Sequence, residues 1–168
     1  MSGNKRCSGI PLSVAPGSPL AQVHQAVDQL RHCLQSSIQG EVRAALPCFT
    51  WPSTFESLAQ RFSLNPFEQF ILLLCVAMEL DFQIAQLYGQ VMGHERLSSP
   101  TFALALALFP QADWQALAAH SPLLRWQLLE LAPHPTLAQA PLKIQPRVLA
   151  LSTAISRPRR LRRAGHPT

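Results

Sequence analysis

The sequence predicts a mainly α-helical domain, a helical bundle carrying a small β-hairpin, and three observations support this. Apolar residues recur at spacings of three and four through much of residues 19–117, which is the period of an amphipathic helix. Punctuating residues such as Asn65-Pro66, Gly93, Ser99-Pro100 and Pro110 fall where those periodic stretches begin or end, as helix caps and breakers do. Two short runs at 123–131 and 140–146 are separated by Pro133-His134-Pro135 and read as paired strands.

Taken in order, residues 1–18 are rich in Ser, Gly and Pro without periodicity, and a disordered leader is expected there. From Pro19 to about Ser37, Leu20, Val23, Val27, Leu30 and Leu34 form one apolar stripe with Cys33 beside it, giving a first helix. Gly40 and Pro47 break that pattern. Ser53-Thr54-Phe55-Glu56 has the S-x-x-E form of a capping box, so a second helix should begin at Ser53, bury Phe55, Leu58, Ala59 and Phe62, and end near Ser63. Asn65 as N-cap, Pro66 at the first helical position and Glu68 in the first turn open a third, each residue suiting a helix start for its own reason. Phe67, Phe70, Ile71, Leu74, Val76 and Met78, with Leu72 and Leu73 between them, make this helix apolar nearly all round, so it should be the central one. Asp81 is placed to cap a fourth helix with a face of Phe82, Ile84, Ala85, Leu87, Tyr88 and Val91, stopped at Gly93.

After a polar turn, Ser99-Pro100 should open a helix through residues 101–109 that Pro110 terminates. The Ala-Leu alternation there also fits the period of a strand, but alanine is a poor strand former and helix is favoured. Asp113 then caps a short turn in residues 114–120. In 123–131, Leu124, Trp126, Leu128 and Glu130 alternate with Arg125, Gln127 and Leu129, which predicts a strand paired with 140–146. A hairpin with a proline-rich tip after a helical cluster has the form of the wing of a winged-helix domain. Pro146-Arg147-Val148-Leu149 opens a last helix that fades near Ile155. No internal repeat is apparent, and the organisation expected is leader 1–18, one winged-helix-like domain at 19–155 and a tail at 156–168.

Composition narrows the function. Hydrophobic residues make up 48% of the 168 residues and charged residues only 14%, so an exposed apolar face is expected. The net charge of +5 suggests nucleic acid until it is located: five of the fourteen Lys and Arg residues lie in Ser156 to Thr168, leaving nine basic against nine acidic residues elsewhere. A neutral body with a short basic tail does not predict a face that tracks phosphates. Cys7, Cys33, Cys48 and Cys75 contain no C-x-x-C pair, so reduced thiols in a cytoplasmic protein are expected rather than a metal cage. The start lacks the apolar core of a signal peptide, and the longest apolar run, 70–77, falls short of the ~20 residues a bilayer span needs.

Catalytic signatures are missing. No phosphate loop of the form G-x-x-x-x-G-K-[ST], no G-x-G-x-x-G, no H-E-x-x-H and no G-x-S-x-G occurs, so no cofactor, metal or catalytic residue is assigned. His24, His32, His94, His120, His134 and His166 are dispersed, and Glu79 with Asp81 reads as a helix end followed by a helix cap. Trp51, Trp114 and Trp126 read as packing anchors before stacking platforms. Residues 82–92, the candidate recognition helix, contain Gln83, Gln86 and Gln90 but no Lys or Arg, which favours protein binding over DNA binding.

The run SLAQRFSLNPFEQFILLLCVAMELD, followed by QLYGQV, SPTFALALALF and SPLLRWQLLEL, resembles the amino-terminal, winged-helix-like region of bacterial AAA-type ATPases encoded with phage-tail-like contractile injection systems. The resemblance covers roughly residues 20–155 and is densest at 58–81, 100–109 and 121–131. It implies a non-catalytic accessory domain that positions an ATPase module or engages an injection-system component; the short apolar runs separately predict no membrane association. The nucleotide-binding motifs of that module have no counterpart here, and the change to an arginine-rich tail at Ser156 resembles a truncated or frame-shifted product. The alternative is a winged-helix nucleic-acid binder using the arginines between Arg157 and Arg163.

Overall fold

The computed structural model describes residues 17–40, 50–94, 98–109 and 113–153. The leader through residue 16, Cys7, Pro47, Cys48, Pro110, Ile155 and the arginine-rich tail with His166 lie outside the described residues.

Seven α-helices and a two-stranded antiparallel sheet are present among the described residues. Helix α1 (Pro19–Ile38) begins at Ser18, whose hydroxyl accepts from the Ala21 amide at 3.2 Å, so Ser18 belongs to the helix start rather than to the leader. Its buried stripe is Val23, Ala26, Val27, Leu30 and Leu34, as the spacing predicts. Helix α2 (Ser53–Phe62) starts where expected, yet the capping box is not formed. Pro52 is the N-cap, its carbonyl accepting from the Phe55 and Glu56 amides at 3.0 and 3.1 Å. The Ser53 amide donates instead to Oε1 of Gln22 on α1, at 2.8 Å. A neighbouring helix thus supplies the acceptor that the local motif offered.

Helix α3 (Pro66–Leu80) has the complete box. Asn65 Oδ1 accepts from the Glu68 amide at 2.8 Å and Glu68 Oε2 accepts from the Asn65 amide at 2.9 Å. Residues 70–77 are buried all round, and α3 packs against α4 (Gln83–Met92), α5 (Phe102–Leu108) and the second strand. Asp81 Oδ1 accepts from the Gln83 amide at 2.9 Å, and Gly93 ends α4 with φ of 71°, a conformation that glycine adopts without strain. The Tyr88 hydroxyl, fully buried, donates to the Leu74 carbonyl at 2.6 Å and fastens α4 to the central helix. Helix α5 is a helix, as favoured, but it starts later than Ser99-Pro100 suggested. Thr101 is the cap, accepting from the Leu104 amide at 3.1 Å, and the Pro100 carbonyl accepts from Leu142 at 2.9 Å instead. Asp113 caps a 3-10 turn at Trp114–Leu117.

The largest correction falls on 123–131. Ser121-Pro122 opens one helical turn, α6 (Pro122–Arg125), and Gln127, with φ of 51°, reverses the chain so that Leu128 donates back to the Leu123 carbonyl at 2.9 Å. Only β1 (Leu129–Leu131) is extended, paired with β2 (Leu142–Ile144) through Leu129↔Ile144, Glu130↔Lys143 and Leu131↔Leu142. Leu128 and Leu129 are both buried and Glu130 is exposed, so the predicted alternation is not kept, and Arg125 and Trp126 are on the surface. Period-two alternation failed because one turn of helix and a left-handed residue occupy most of the run. Helix α7 (Pro146–Thr153) follows and packs against α1 and α2.

Candidate functional site

Two helices end in the same way on the same face. The last turn of α2 carries Arg61 and Phe62 and stops at Ser63, left-handed with φ of 55°. At the end of α6, Arg125 and Trp126 precede the left-handed Gln127. A cation in the last turn suits the negative end of the helix dipole. The left-handed residue turns the chain away and leaves each arginine-aromatic pair at a corner. The two corners meet: the Phe62 and Trp126 rings lie 6.0 Å apart at 52°. The Arg61 guanidinium sits 5.8 Å from the Phe62 centroid and that of Arg125 5.6 Å from the Trp126 centroid. Arg147 on α7 joins them, its Nη2 donating to the Trp126 carbonyl at 3.3 Å.

One turn along α7 from Arg147, Leu151 is 49% exposed. It shares a shallow groove of about 190 Å³ with Ser53, Thr54, Ser57, Leu58 and Arg61 of α2. The Thr54 hydroxyl donates to the Ser152 carbonyl at 2.6 Å, pinning α2 to α7, and the Ser57 hydroxyl donates to the Ser53 carbonyl at 3.0 Å. With these two hydroxyls donating internally, Arg61 is the charged group on the groove wall.

Charge is sorted across the molecule, which the neutral total hides. Arg31 is paired with Asp28 at 3.1 Å and with Asp81, tying α1 to the α3–α4 junction. Arg61, Arg125, Lys143 and Arg147 take part in no ion pair with a described residue, and three of these four belong to the α2–α6–α7 face. Sequence reading missed this site because it placed Trp126 in a strand, whereas Trp126 follows the helical turn of α6 and meets Phe62, which packs on the apolar face of α2 as expected. The available signal was the repeated arginine-aromatic dipeptide at a helix end.

The α4 face differs. Gln83, Gln86 and Gln90 are all exposed, beside Phe82 at 78% exposure, and the helix carries no Lys or Arg. His24, His32, His94, His120 and His134 are exposed and scattered, and no group of three His, Cys, Asp or Glu among the described residues stands close enough to hold a metal. Glu79 is exposed at the end of α3, while Asp81, which ends α3, pairs with Arg31 and accepts from the Gln83 amide; the N-cap of α4 is Phe82 and not the expected Asp81. Trp51 packs against Phe55 at 6.3 Å, and Trp114 is exposed. Burial raises the Cys33 thiol pKa and pushes that of Cys75 far above the usual range, so Cys75 behaves as a small buried hydrophobe. Burial also raises the Glu68 carboxyl, against the lowering effect of the Asn65 amide and with a smaller push from Asp113.

A protein-family model described as "Winged helix domain, variant" matches residues 14–151, most of the chain and all its described secondary structure from α1 to α7's Leu151. The chain belongs to that family. Searches of curated proteins and of solved structures returned no match. The wing of this winged helix is the β1–β2 hairpin, whose outward pair, Glu130 opposite Lys143, is balanced in charge. Glu130 also accepts from Gln145 Nε2 across the sheet. Neither the wing nor α4 concentrates positive charge, and the arginine-aromatic corner does. No helix among the described residues is long and apolar enough to cross a membrane.

Proposed function

We propose that this winged helix is a non-catalytic interaction module that docks a protein partner through the α2–α6–α7 face. The observation that carries the proposal is the corner itself: Arg61, Arg125 and Arg147 lack ion-pair partners among the described residues and surround two touching aromatic rings beside an exposed leucine. Aromatic and arginine side chains together are the usual anchors of protein interfaces. The partner we propose, on the resemblance of residues 20–155, is the ATPase module of an AAA-type ATPase linked to a contractile injection system, or a component of that apparatus. The chain's contribution is positional, and nucleotide chemistry belongs to the partner.

Two measurements test this reading. Thermal melting of the full chain should be unchanged by Mg-ATP, and a nucleotide-dependent rise in Tm would overturn the non-catalytic assignment. The full chain should co-elute with a purified AAA-type ATPase module of that family, and separate elution would remove the named partner.

A nucleic-acid module is the second reading, favoured by the winged-helix family and by the five tail arginines. Its expected interface is weak, since a helix without basic residues and a charge-balanced wing neutralise few phosphates. Replacing Arg157, Arg159, Arg160, Arg162 and Arg163 by glutamine in the full chain should abolish any duplex-DNA shift. A salt-dependent shift that survives would support the nucleic-acid reading over docking.

A further inference from the structure

We infer that the α2–α6–α7 face recognises an acidic peptide segment, one whose Asp or Glu side chains flank an apolar residue. This rests on the docking reading above and adds the chemistry of the partner. The charge argument comes first. Arg61 and Arg125 lie over the Phe62 and Trp126 rings, and a guanidinium held against an aromatic plane still presents N–H groups to a carboxylate in a bidentate fork. Arg147 is held near the same place by its bond to the Trp126 carbonyl. Arg61, Arg125 and Arg147, tied to two adjoining rings or to the Trp126 carbonyl and without an ion-pair partner among the described residues, give this face a positive charge that a negatively charged occupant complements.

The apolar half of the argument is the groove. Leu58 forms its floor, Leu151 its exposed wall, and Arg61 stands where the groove meets the aromatic corner. An apolar side chain placed against Leu151 brings a neighbouring acidic side chain toward Arg61, with Arg147 one helical turn from Leu151 along α7. A nucleic acid fits less well. Base stacking needs an open ring face, whereas Phe62 and Trp126 pack on each other and each carries a guanidinium.

Fluorescence anisotropy with the full chain tests this. The probe is a labelled helix-forming peptide of about four turns with a leucine stripe flanked by glutamates. A lysine-for-glutamate version and a single-stranded oligonucleotide serve as comparisons. The glutamate peptide should bind and the lysine peptide should not. The triple variant R61E/R125E/R147E should weaken the glutamate peptide by about tenfold or more and gain affinity for the lysine peptide. L151E should weaken the glutamate peptide by a similar factor. The three arginines and Leu151 are exposed, so these variants should melt as the wild type does; R61Q/R125Q/R147Q, with a several-fold loss expected, covers the case where charge reversal unfolds the chain. The basic tail is present throughout and cancels from the comparison. Unchanged peptide affinity in the triple reversal and in L151E overturns the inference, as does oligonucleotide binding that is tighter than peptide binding and lost on the same substitutions. If the ATPase module binds wild type and triple variant equally, the acidic occupant fails and the interaction-module reading stands. If the peptide binds as described and no ATPase module does, the named partner fails and the inference stands.

Discussion

Replacing Asn65 by alanine should cost the fold about 2 kcal/mol, and replacing Ser53 by alanine should cost less than about 0.5 kcal/mol, although both residues stand three positions before a glutamate at a helix start. The difference comes from what each side chain holds. Asn65 Oδ1 accepts from the Glu68 amide at 2.8 Å, its Nδ2 donates to Asp113 Oδ2 at 3.3 Å, and its backbone amide is held by Glu68. Loss of an N-cap acceptor costs about 1 kcal/mol. The Glu68 residue is only 4% exposed, so an amide left without its acceptor there adds an unsatisfied-donor cost of up to about 1 kcal/mol. At Ser53 the cap is Pro52, and the serine contributes its backbone amide to Gln22, which alanine preserves. Urea unfolding of the full chain followed by circular dichroism reads both. The Asn65→Ala midpoint should fall by roughly 1 M at unchanged slope, with Ser53→Ala close to wild type. Equal losses at the two sites would refute the claim that geometry and not motif decides which box forms.

Two further outcomes follow from buried groups. Tyr88→Phe removes the hydroxyl that donates to the Leu74 carbonyl and should lower stability by about 1 kcal/mol, a Tm drop of roughly 3 °C; an unchanged Tm would show that this link between α4 and α3 carries no free energy. The Glu68 carboxyl is raised chiefly by burial, so the folded chain holds its proton more tightly than the unfolded chain, and the contribution is present at low pH and lost as pH rises through the folded value. The stability of wild type relative to Glu68→Gln should therefore increase as pH falls from neutrality toward about 4, and a constant or opposite trend would contradict the direction.

Helix positions were legible in the sequence where local chemistry decides them. The α3 cap, the Gly93 stop and the buried stripe of α1 need only neighbours within one or two turns; at α4 the N-cap is Phe82 rather than the expected Asp81, whose carboxylate, one residue further back, accepts from the Gln83 amide. The readings that failed depended on residues far along the chain. Gln22 of α1 captures the Ser53 amide, and the Pro100 carbonyl is taken by Leu142 of β2; neither partner is visible from the motif. The 123–131 run misled because Gln127 adopts a positive φ that its residue type does not announce. That error hid the arginine-aromatic corner as well, since a strand through Trp126 does not bring its ring to Phe62 at the end of α2. Net charge misled in a related way. The body sums to zero, but the ion pairs among the described residues gather at Arg31, while Arg61, Arg125 and Arg147 have none there and share one side.

Hydrogen exchange of the full chain, measured alone and with a saturating AAA-type ATPase module, tests the docking face most directly. Added protection should appear in α2, α6 and the first turns of α7, with α4 unchanged. Protection concentrated on α4 or the wing, with α2 and α7 exchanging as in the free chain, would contradict it.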